Sequence, residues 1–327
     1  MKVDFSHSRS KTKALADAVS AAIMHCELQV GDNLLSINEA SAEYAVSRDT
    51  VFKAYKELKR RGLIDSNPQK GYFVRGEVHH VLLLLDNYSP FKQHLYKRFR
   101  SYLPDSYKVD LIFHQYNQHL FETIIRESMG RYSKYAVMNF SNTQFSEVLK
   151  MIPNEKLLLL DFGGFEKSEY AFLCQNFDQA LYDSLKSFRD ALQKYKKLVL
   201  VFPEDNCHPA SAINFFKRFA QDEGFECEIV RNPKQWKGVE KGAFYLCIET
   251  DDLVRTIHEA DRHGFELGKD IGLMAYNDDP ILDVIKNGIT SISIDFGLLG
   301  EKAAEFILNK QFVQEYLPTT IRLRNSV

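Results

Sequence analysis

Two sets of residues carry chemistry by their type and spacing. The first is the stretch SRDTVFKAYKELKRRG (47–62), which packs six cations around one apolar stripe and closes on Gly62. Cations at such spacing suit a polyanion, because arginine and lysine neutralise phosphates and arginine also reads guanine edges bidentately. The second set is scattered. Polar and aromatic residues follow apolar runs at Asp86-Asn87-Tyr88-Ser89, His114-Gln115-Tyr116, Asp161, Glu204-Asp205-Asn206, Thr250-Asp251-Asp252 and Asn277-Asp278-Asp279. Carboxylates and amides grip hydroxyls, and an aromatic ring covers the apolar face of a sugar, so this set suits a polyhydroxyl ligand. Asp and Asn also end strands simply as turn and cap formers. Residue by residue that suffices; taken together the set indicates a site.

Enzyme chemistry finds little support. No G-x-S-x-G, HExxH, GxxxxGK[ST] or GxGxxG occurs. DFGGF (161–165) stands without a glycine-rich loop or an H-R-D, and His79-His80 lie where a solvated joint is expected. Asp278-Asp279 suit a turn and cap better than acid/base work. The five cysteines (Cys26, Cys174, Cys207, Cys227, Cys247) form no CxxC pair, so neither a zinc ribbon nor a disulfide framework is expected, and free thiols are. No cofactor or metal is expected.

Charge is distributed unevenly. The chain of 327 residues has a net charge of −2, yet residues 1–75 hold 12 Lys+Arg against 9 Asp+Glu. A basic head on an acidic body indicates that only the head meets a polyanion. The opening MKVDFSHSRSKTK has no apolar signal core, and the apolar run VLLLL (81–85) is far too short to span a bilayer. A cytoplasmic protein with no membrane contact is the expectation, and its length calls for two or three domains.

The elements that must position the cationic stretch follow from periodicity. Leu15, Val19, Ala22, Ile23 and Leu28 recur at helical spacing, with Ser10 or Thr12 as cap and an end near Cys26. Ser36 followed by Glu39 is a capping-box signature for a helix over roughly 36–44. Ser47 caps a third helix, in which Val51, Ala54, Tyr55 and Leu58 form the buried stripe. Arg48, Asp49, Lys53, Lys56, Lys59, Arg60 and Arg61 lie off it. LIDS, NPQKG and YFVR read as two short strands around a turn. A helix-turn-helix followed by a hairpin is a winged helix. In that arrangement Arg48, Asp49 and Thr50, beside Ser47, enter the major groove. Lys53, Arg75 and the wing tip Lys70-Gly71 are placed for phosphates.

After GEVHH (76–80) the pattern changes to unbroken apolar runs: VLLLLD, VDLIFH, YAVMNF, KLLLLD, KLVLVF, FECEIV, AFYLCIE, DIGLMAY and TSISIDF. Buried parallel strands read this way, and helices between them indicate a doubly wound α/β region. The number of strands predicts two sheets, hence two lobes. One takes roughly 79–178 plus the strand and helix after Ile289; the other takes roughly 180–289 plus the C-terminal strand. Ligands in such sheets bind beyond the carboxyl ends of the strands.

The segment TKALADAVSAAIMHCELQVGDNLLSINEASAEYAVSRDTVFKAYKELKRRGLIDSNPQKGYFV resembles the winged-helix domain of the GntR family of bacterial transcription regulators. The resemblance covers about 65 residues and keeps the order helix, GD-x-LLS, helix, VSR-x-TV-x-KAY-x-x-L, GLI, G-x-x-V. Where many members carry an Arg after S-E, this chain has Ser36-Ile37-Asn38-Glu39, so the resemblance brings Ser36 and Asn38 to the DNA face.

DIGLMAYNDDPILDVIKNGITSISIDFGLLGEKAAEFIL and LPTTIRLRNSV resemble the effector domain of the lactose/galactose-repressor family, which shares the type I periplasmic sugar-binding fold. NYSPF resembles that family's N-P-F, and IETDDLV its A-N-D-x-M-A. The resemblance implies an effector pocket. Ser89 stands for the family's Asn before Pro-Phe, with Phe91 as a ring contact. Asp251 matches the Asp of N-D, Thr250 replaces the Asn, and Asn277 replaces the first Asp of D-D. The family's Arg near the fifth strand has no counterpart; Asn206 or His208 substitutes. Asn87, His114 and Asp161 complete the expected set from the strand ends.

The expectation is a winged helix over 1–75, a linker at 76–80, and a two-lobed effector-binding and dimerisation domain over 81–327, of the arabinose-repressor type of GntR protein. Its function is DNA-binding regulation modulated by a small-molecule effector, a sugar or sugar derivative. The partners are a palindromic double-stranded operator and a second copy of the chain. The alternative is a DNA-binding regulator whose second domain only dimerises and binds no ligand.

Overall fold

The computed structural model describes residues 10–24, 27–75, 79–141, 144–160, 164–309 and 311–327. Asp161, Cys26 and most of the expected linker therefore lie outside the described residues. The chain divides into two compact units: Met1–Asp86, Leu103–Phe140 and Ser146–Leu158 form the first, and Asn87–Tyr102, Ser141–Phe145 and Leu159–Val327 the second.

The first unit begins with three helices, α1 (Lys11–Met24), α2 (Ile37–Glu43) and α3 (Arg48–Arg60). Ser10 accepts from the Lys13 amide at 3.4 Å and caps α1, whereas Thr12 is inside the helix. Both features of the capping box form at α2: the Ser36 hydroxyl accepts from the Glu39 amide (3.3 Å) and Glu39 Oε2 from the Ser36 amide (2.8 Å). Leu15, Val19, Ala40, Val51, Ala54, Tyr55 and Leu58 close one small core. Tyr55 also donates to the Leu35 carbonyl at 2.9 Å, pinning α3 to the chain before α2. The hairpin β1 (Ile64–Asn67) and β2 (Gly71–Val74) follows in antiparallel register, Ile64 opposite Val74. Asn67 Oδ1 takes the amides of Gln69 and Lys70, and Gly71 supplies the positive φ of 73° that ends the turn.

Parallel strands complete this unit: β3 (His79–Leu85), β4 (Tyr107–Phe113) and β5 (Lys134–Met138). β3 is central, pairing with both neighbours, and Val81–Leu85 are wholly buried. β4 lies at the edge and alternates in exposure, as a strand covered on one face must. Helix α5 (Gln118–Ser128), capped by Asn117, packs Phe121 and Ile125 inward. In the second unit α4 (Pro90–Tyr102) begins at the proline of NYSPF. β6 (Leu157–Leu160), which the unit boundary after Leu158 divides, is followed in the sheet order by β7 (Ala171–Gln175) and β13 (Gln314–Leu317), with β13 parallel to β7.

The second sheet runs in the order β14-β12-β11-β10-β8-β9, formed by β8 (Lys197–Val201), β9 (Glu226–Val230), β10 (Ala243–Cys247), β11 (Gly272–Tyr276), β12 (Thr290–Ser293) and β14 (Thr320–Arg322). All its pairings are parallel except β12 with β14. Its helices are α6 (Gln179–Ser187), α7 (Arg189–Leu192), α8 (Ser211–Asp222) and α9 (Thr250–His263). Helix α10 (Phe296–Asn309) instead packs on α4, and there Gly300 is obligatory: a Cβ would sit 2.3 Å from the Leu95 carbonyl oxygen.

The structure corrects three sequence expectations. The strand after Ile289 belongs with the second sheet, because Met274–Tyr276 pair with Thr290–Ile292. TSISIDF is a strand only to Ser293; Phe296 already starts α10. His79 and His80 open β3 and are half-buried instead of lying in a solvated joint, and β7 and α6 are elements for which the sequence reading set out no expectation.

Candidate functional site

In the head, the elements present one edge. Ser47 caps α3, its hydroxyl accepting from the Thr50 amide at 3.1 Å and bonding the Thr50 hydroxyl at 2.7 Å. That fixes the first turn, where Arg48 and Asp49 are exposed and Thr50 half-buried. Arg48 makes no hydrogen bond or ion pair among the described residues, so all its guanidinium donors remain available. Lys53 is held by Asp49 at 2.6 Å, a pair with both partners mostly exposed and worth little in water. Ser36, Asn38, Lys70 and Gly71 are exposed. Phe52, missed by charge-based reading, lies one turn from Arg48 and is 48% exposed, a ring suited to a thymine methyl.

The other end of α3 behaves differently. Lys59 bonds Ser66 and Asp65, Arg60 chelates Glu57 at 2.7 Å, and Arg61 bridges Glu57 and Asp17 at 2.9 and 3.0 Å. The two arginines hold the Glu57 carboxyl at about 2, the Arg60 bonds contributing most. The cationic stretch thus differs between its ends: Arg48 at the start is unengaged among the described residues, whereas Lys59, Arg60 and Arg61 at the other end bond Asp65, Glu57 and Asp17.

In the second unit, the strand ends of the second sheet gather polar groups. Asp251 and Asp252 occupy the first turn of α9, where the helix dipole favours negative charge. Asp252 is buried; its Oδ1 is 4.0 Å from Arg255 Nε and its Oδ2 has no partner. Burial raises the Asp252 carboxyl, with Arg255 opposing and Asp251 and Asp205 adding to the rise. Glu249 is raised by loss of surrounding water and by Asp252, Asp251 and Asp205, while Lys92 acts against it. Lys92, buried on α4, donates to Asn87 Oδ1 at 2.6 Å. Asn277 sits at φ 68° with its side-chain oxygen buried and unpaired, and the Ser89 hydroxyl is likewise buried without a partner. Arg231, just past β9, has Nη1 buried and unpaired, its guanidinium 5.2 Å from the Phe202 ring centroid.

Other expected residues are occupied. Asn206 donates to the Pro203 carbonyl and accepts from the His208 amide at 2.7 Å, so it shapes its own loop. His208 lies among Phe177, Phe202 and Tyr276, ring centroids 4.9, 5.8 and 4.5 Å away, and burial holds it down at about 3. Phe91 packs on Phe296 at 4.6 Å. His114, in the first unit, is fully buried and donates from Nε2 to the Met138 carbonyl. After it, Gln115 and Tyr116 both adopt positive φ, and Tyr116 donates to Asp86 at 2.7 Å. Asp278 is taken by Arg324 at 2.7 Å, by Ser291 and by Arg322, and Asp279 caps the turn at Ile281. Thr250 and Asp251 stay exposed at the start of α9.

Sequence reading missed Lys92, Glu249 and Arg231, and took Asp252 only as one of the strand-end set. Arg231 had one available signal, since it is a cation directly after the apolar run FECEIV. Among the described residues, no group of three or more His, Cys, Asp or Glu is placed to hold a metal, and no helix is long and apolar enough to cross a membrane. Cys174, Cys207, Cys227 and Cys247 are free thiols.

Residues 11–74 match the family described as bacterial regulatory proteins, gntR family. Over 64 residues the chain is 39% identical to YcxD, an uncharacterised HTH-type transcriptional regulator of Bacillus subtilis (strain 168); the match covers 20% of this chain and 14% of that relative's length. The fold resembles the trehalose repressor from Escherichia coli, with a TM-score of 0.61 and 13% identity over 75% of this chain and 99% of that one. It also resembles a LacI family transcriptional regulator from Lactobacillus casei solved with bound glucose, with a TM-score of 0.61 and 15% identity over 76% of this chain and all of that one. The head is therefore a gntR-type helix-turn-helix domain, and the two-sheet α/β region has the fold of LacI-type regulators.

Proposed function

We propose that the chain is a transcription regulator that binds operator DNA through α3 and the wing, and that a small-molecule effector, a carbohydrate or carbohydrate derivative, modulates this binding. The observation that supports DNA reading most directly is the uncommitted Arg48 guanidinium on a capped, rigid first turn. One such head covers few base pairs, so the proposal includes a homodimer on a palindromic site, acting in the cytoplasm. The effector pocket takes Ser89, Lys92, Arg231, Asp251, Asp252 and Asn277. Buried polar atoms left without partners favour this over a second domain that only dimerises, because such atoms cost stability unless something binds them.

The test is a thermal-shift screen of the full chain against a carbohydrate library, followed by DNA-binding assays with and without each hit. A hit should shift both melting temperature and operator affinity. Asp251→Ala should remove the response and spare DNA binding. A second domain that answers to no carbohydrate while still dimerising would favour the dimerisation-only reading.

A further inference from the structure

A separate concave site lies within the first unit. Arg60 and Arg61 from the end of α3, His80 from β3, Asp110 from β4, and Arg131 and Tyr132 between α5 and β5 line a cavity of about 130 Å³. A single water needs roughly 10–15 Å³ in the same measure, so a polyatomic guest fits. The lining carries three guanidinium groups and one carboxylate, a net of two positive charges before any proton on His80.

The donors are unevenly committed. Arg131 makes no side-chain hydrogen bond or ion pair among the described residues; its guanidinium lies 5.7 Å from the Tyr132 ring centroid. Arg60 uses Nε and Nη2 on Glu57, leaving Nη1. Arg61 is engaged by Glu57, Asp17 and Ser20 and adds only its field. His80 Nε2 is buried with no partner. Asp110 keeps its negative charge but accepts from the Tyr132 hydroxyl at 2.7 Å, which occupies one of its oxygens.

We propose that this cavity binds a small phosphate, either inorganic phosphate or a phosphate monoester, held by Arg131, Arg60 Nη1 and His80 Nε2. A dianion balances the lining, and its tetrahedral oxygens can use forked guanidinium donors and a ring nitrogen together, which a single carboxylate does less completely. Burial lowers the His80 pKa, helped by the Lys108 and Arg131 charges and opposed by Asp110 and the Arg61 backbone; an anion beside Nε2 would favour its protonation. The occupant would touch both the end of the reading helix and the strands behind it, tying the two together. This site shares no residue with the carbohydrate pocket.

The experiment is calorimetric titration of the full chain with inorganic phosphate and, separately, glucose 6-phosphate, in an amine buffer at matched ionic strength with chloride as control. Saturable binding of either probe at millimolar concentration is expected. Preference for one identifies free phosphate or an ester as the source. Arg131→Gln and His80→Gln should each weaken binding by about tenfold or more, whereas Arg131→Lys should restore part of it. The proposal fails if neither probe binds saturably, if chloride competes equally, or if Arg131→Gln leaves affinity intact. It also fails if Arg131→Gln weakens only DNA binding, which would make these cations backbone contacts.

Discussion

The head and the second unit solve opposite problems with polar groups. In the head the residues proposed to read DNA, Arg48 and Asp49, are exposed, and the groups around them are bonded: Ser47 bonds Thr50, the Ser36–Glu39 box closes, and Arg60 and Arg61 are engaged by Glu57 and Asp17. In the second unit Asp252 Oδ2, Asn277 Oδ1, Arg231 Nη1 and the Ser89 hydroxyl are buried and unsatisfied. Each such group costs about 1–3 kcal/mol while it has no partner. A reader of DNA can be stable and finished before its partner arrives. The proposed pocket, by contrast, keeps bonding capacity in reserve at a cost in stability.

The sharpest way to break this contrast is at Gly300. Gly300→Val drives a branched side chain into the Leu95 carbonyl 2.3 Å away and the Phe99 amide 3.0 Å away. The α4–α10 contact should open at a cost of about 3 kcal/mol or more. Hydrogen exchange should then accelerate over residues 296–309 and stay unchanged over 37–60. Equal acceleration in both would show the head to be energetically fused to the rest.

Specificity comes next. Arg48→Ala should reduce discrimination between operator and random DNA by about 1–3 kcal/mol in competition binding, with little change in melting temperature. Lys53→Ala should instead weaken all DNA alike and lower the salt slope by about one unit. If Arg48→Ala behaved like Lys53→Ala, Arg48 would be a phosphate contact and the reading role would pass to Phe52 and Thr50.

His208 gives an effect of about the same size, visible only in acid. Its unfolded value is near 6.5, and among the aromatic rings it is held at about 3. The folded state therefore binds the proton less readily than the unfolded state. The associated stability is fully present above about pH 6.5 and is lost as pH falls towards 3. At pH 5 the loss is about 2 kcal/mol relative to neutral pH. His208→Gln should flatten that part of the stability profile, measured by denaturant melts at several pH values. An unchanged profile would move His208 out of the aromatic cluster.

The same contrast explains what was legible in the sequence. The head's signals are local: Ser36 with Glu39, Ser47 with Thr50, and the stripe Val51, Ala54, Tyr55, Leu58 all lie within a few residues of their partners. The apolar runs likewise announced β3, β8 and β10. The proposed pocket was only half legible, because Asp251 and Asp278 look identical on paper while Arg324, 46 residues beyond Asp278, engages Asp278. Lys92 had no local pattern to mark it, and Arg231 only its place after FECEIV; both enter the proposed pocket through elements distant in the chain. Among the cations of α3, only the fold separates Arg48, which is free, from Arg61, which is not.

The smallest expected effect tests whether the head is as relaxed as its hydrogen bonds suggest. Between α2 and α3 the chain turns at Ala45, whose φ is 49°. An L-residue in this left-handed region costs about 1 kcal/mol, and glycine escapes that penalty at some entropic cost in the unfolded chain. Ala45 is exposed, so its methyl has little packing to lose. Ala45→Gly should therefore stabilise the head by up to about 1 kcal/mol. Slower hydrogen exchange over 37–60, with no change over 296–309 and unaltered operator affinity, would be the readout. Faster exchange over 37–60 would mean that the Ala45 methyl holds the turn, and that the reading helix depends on a contact its caps do not supply.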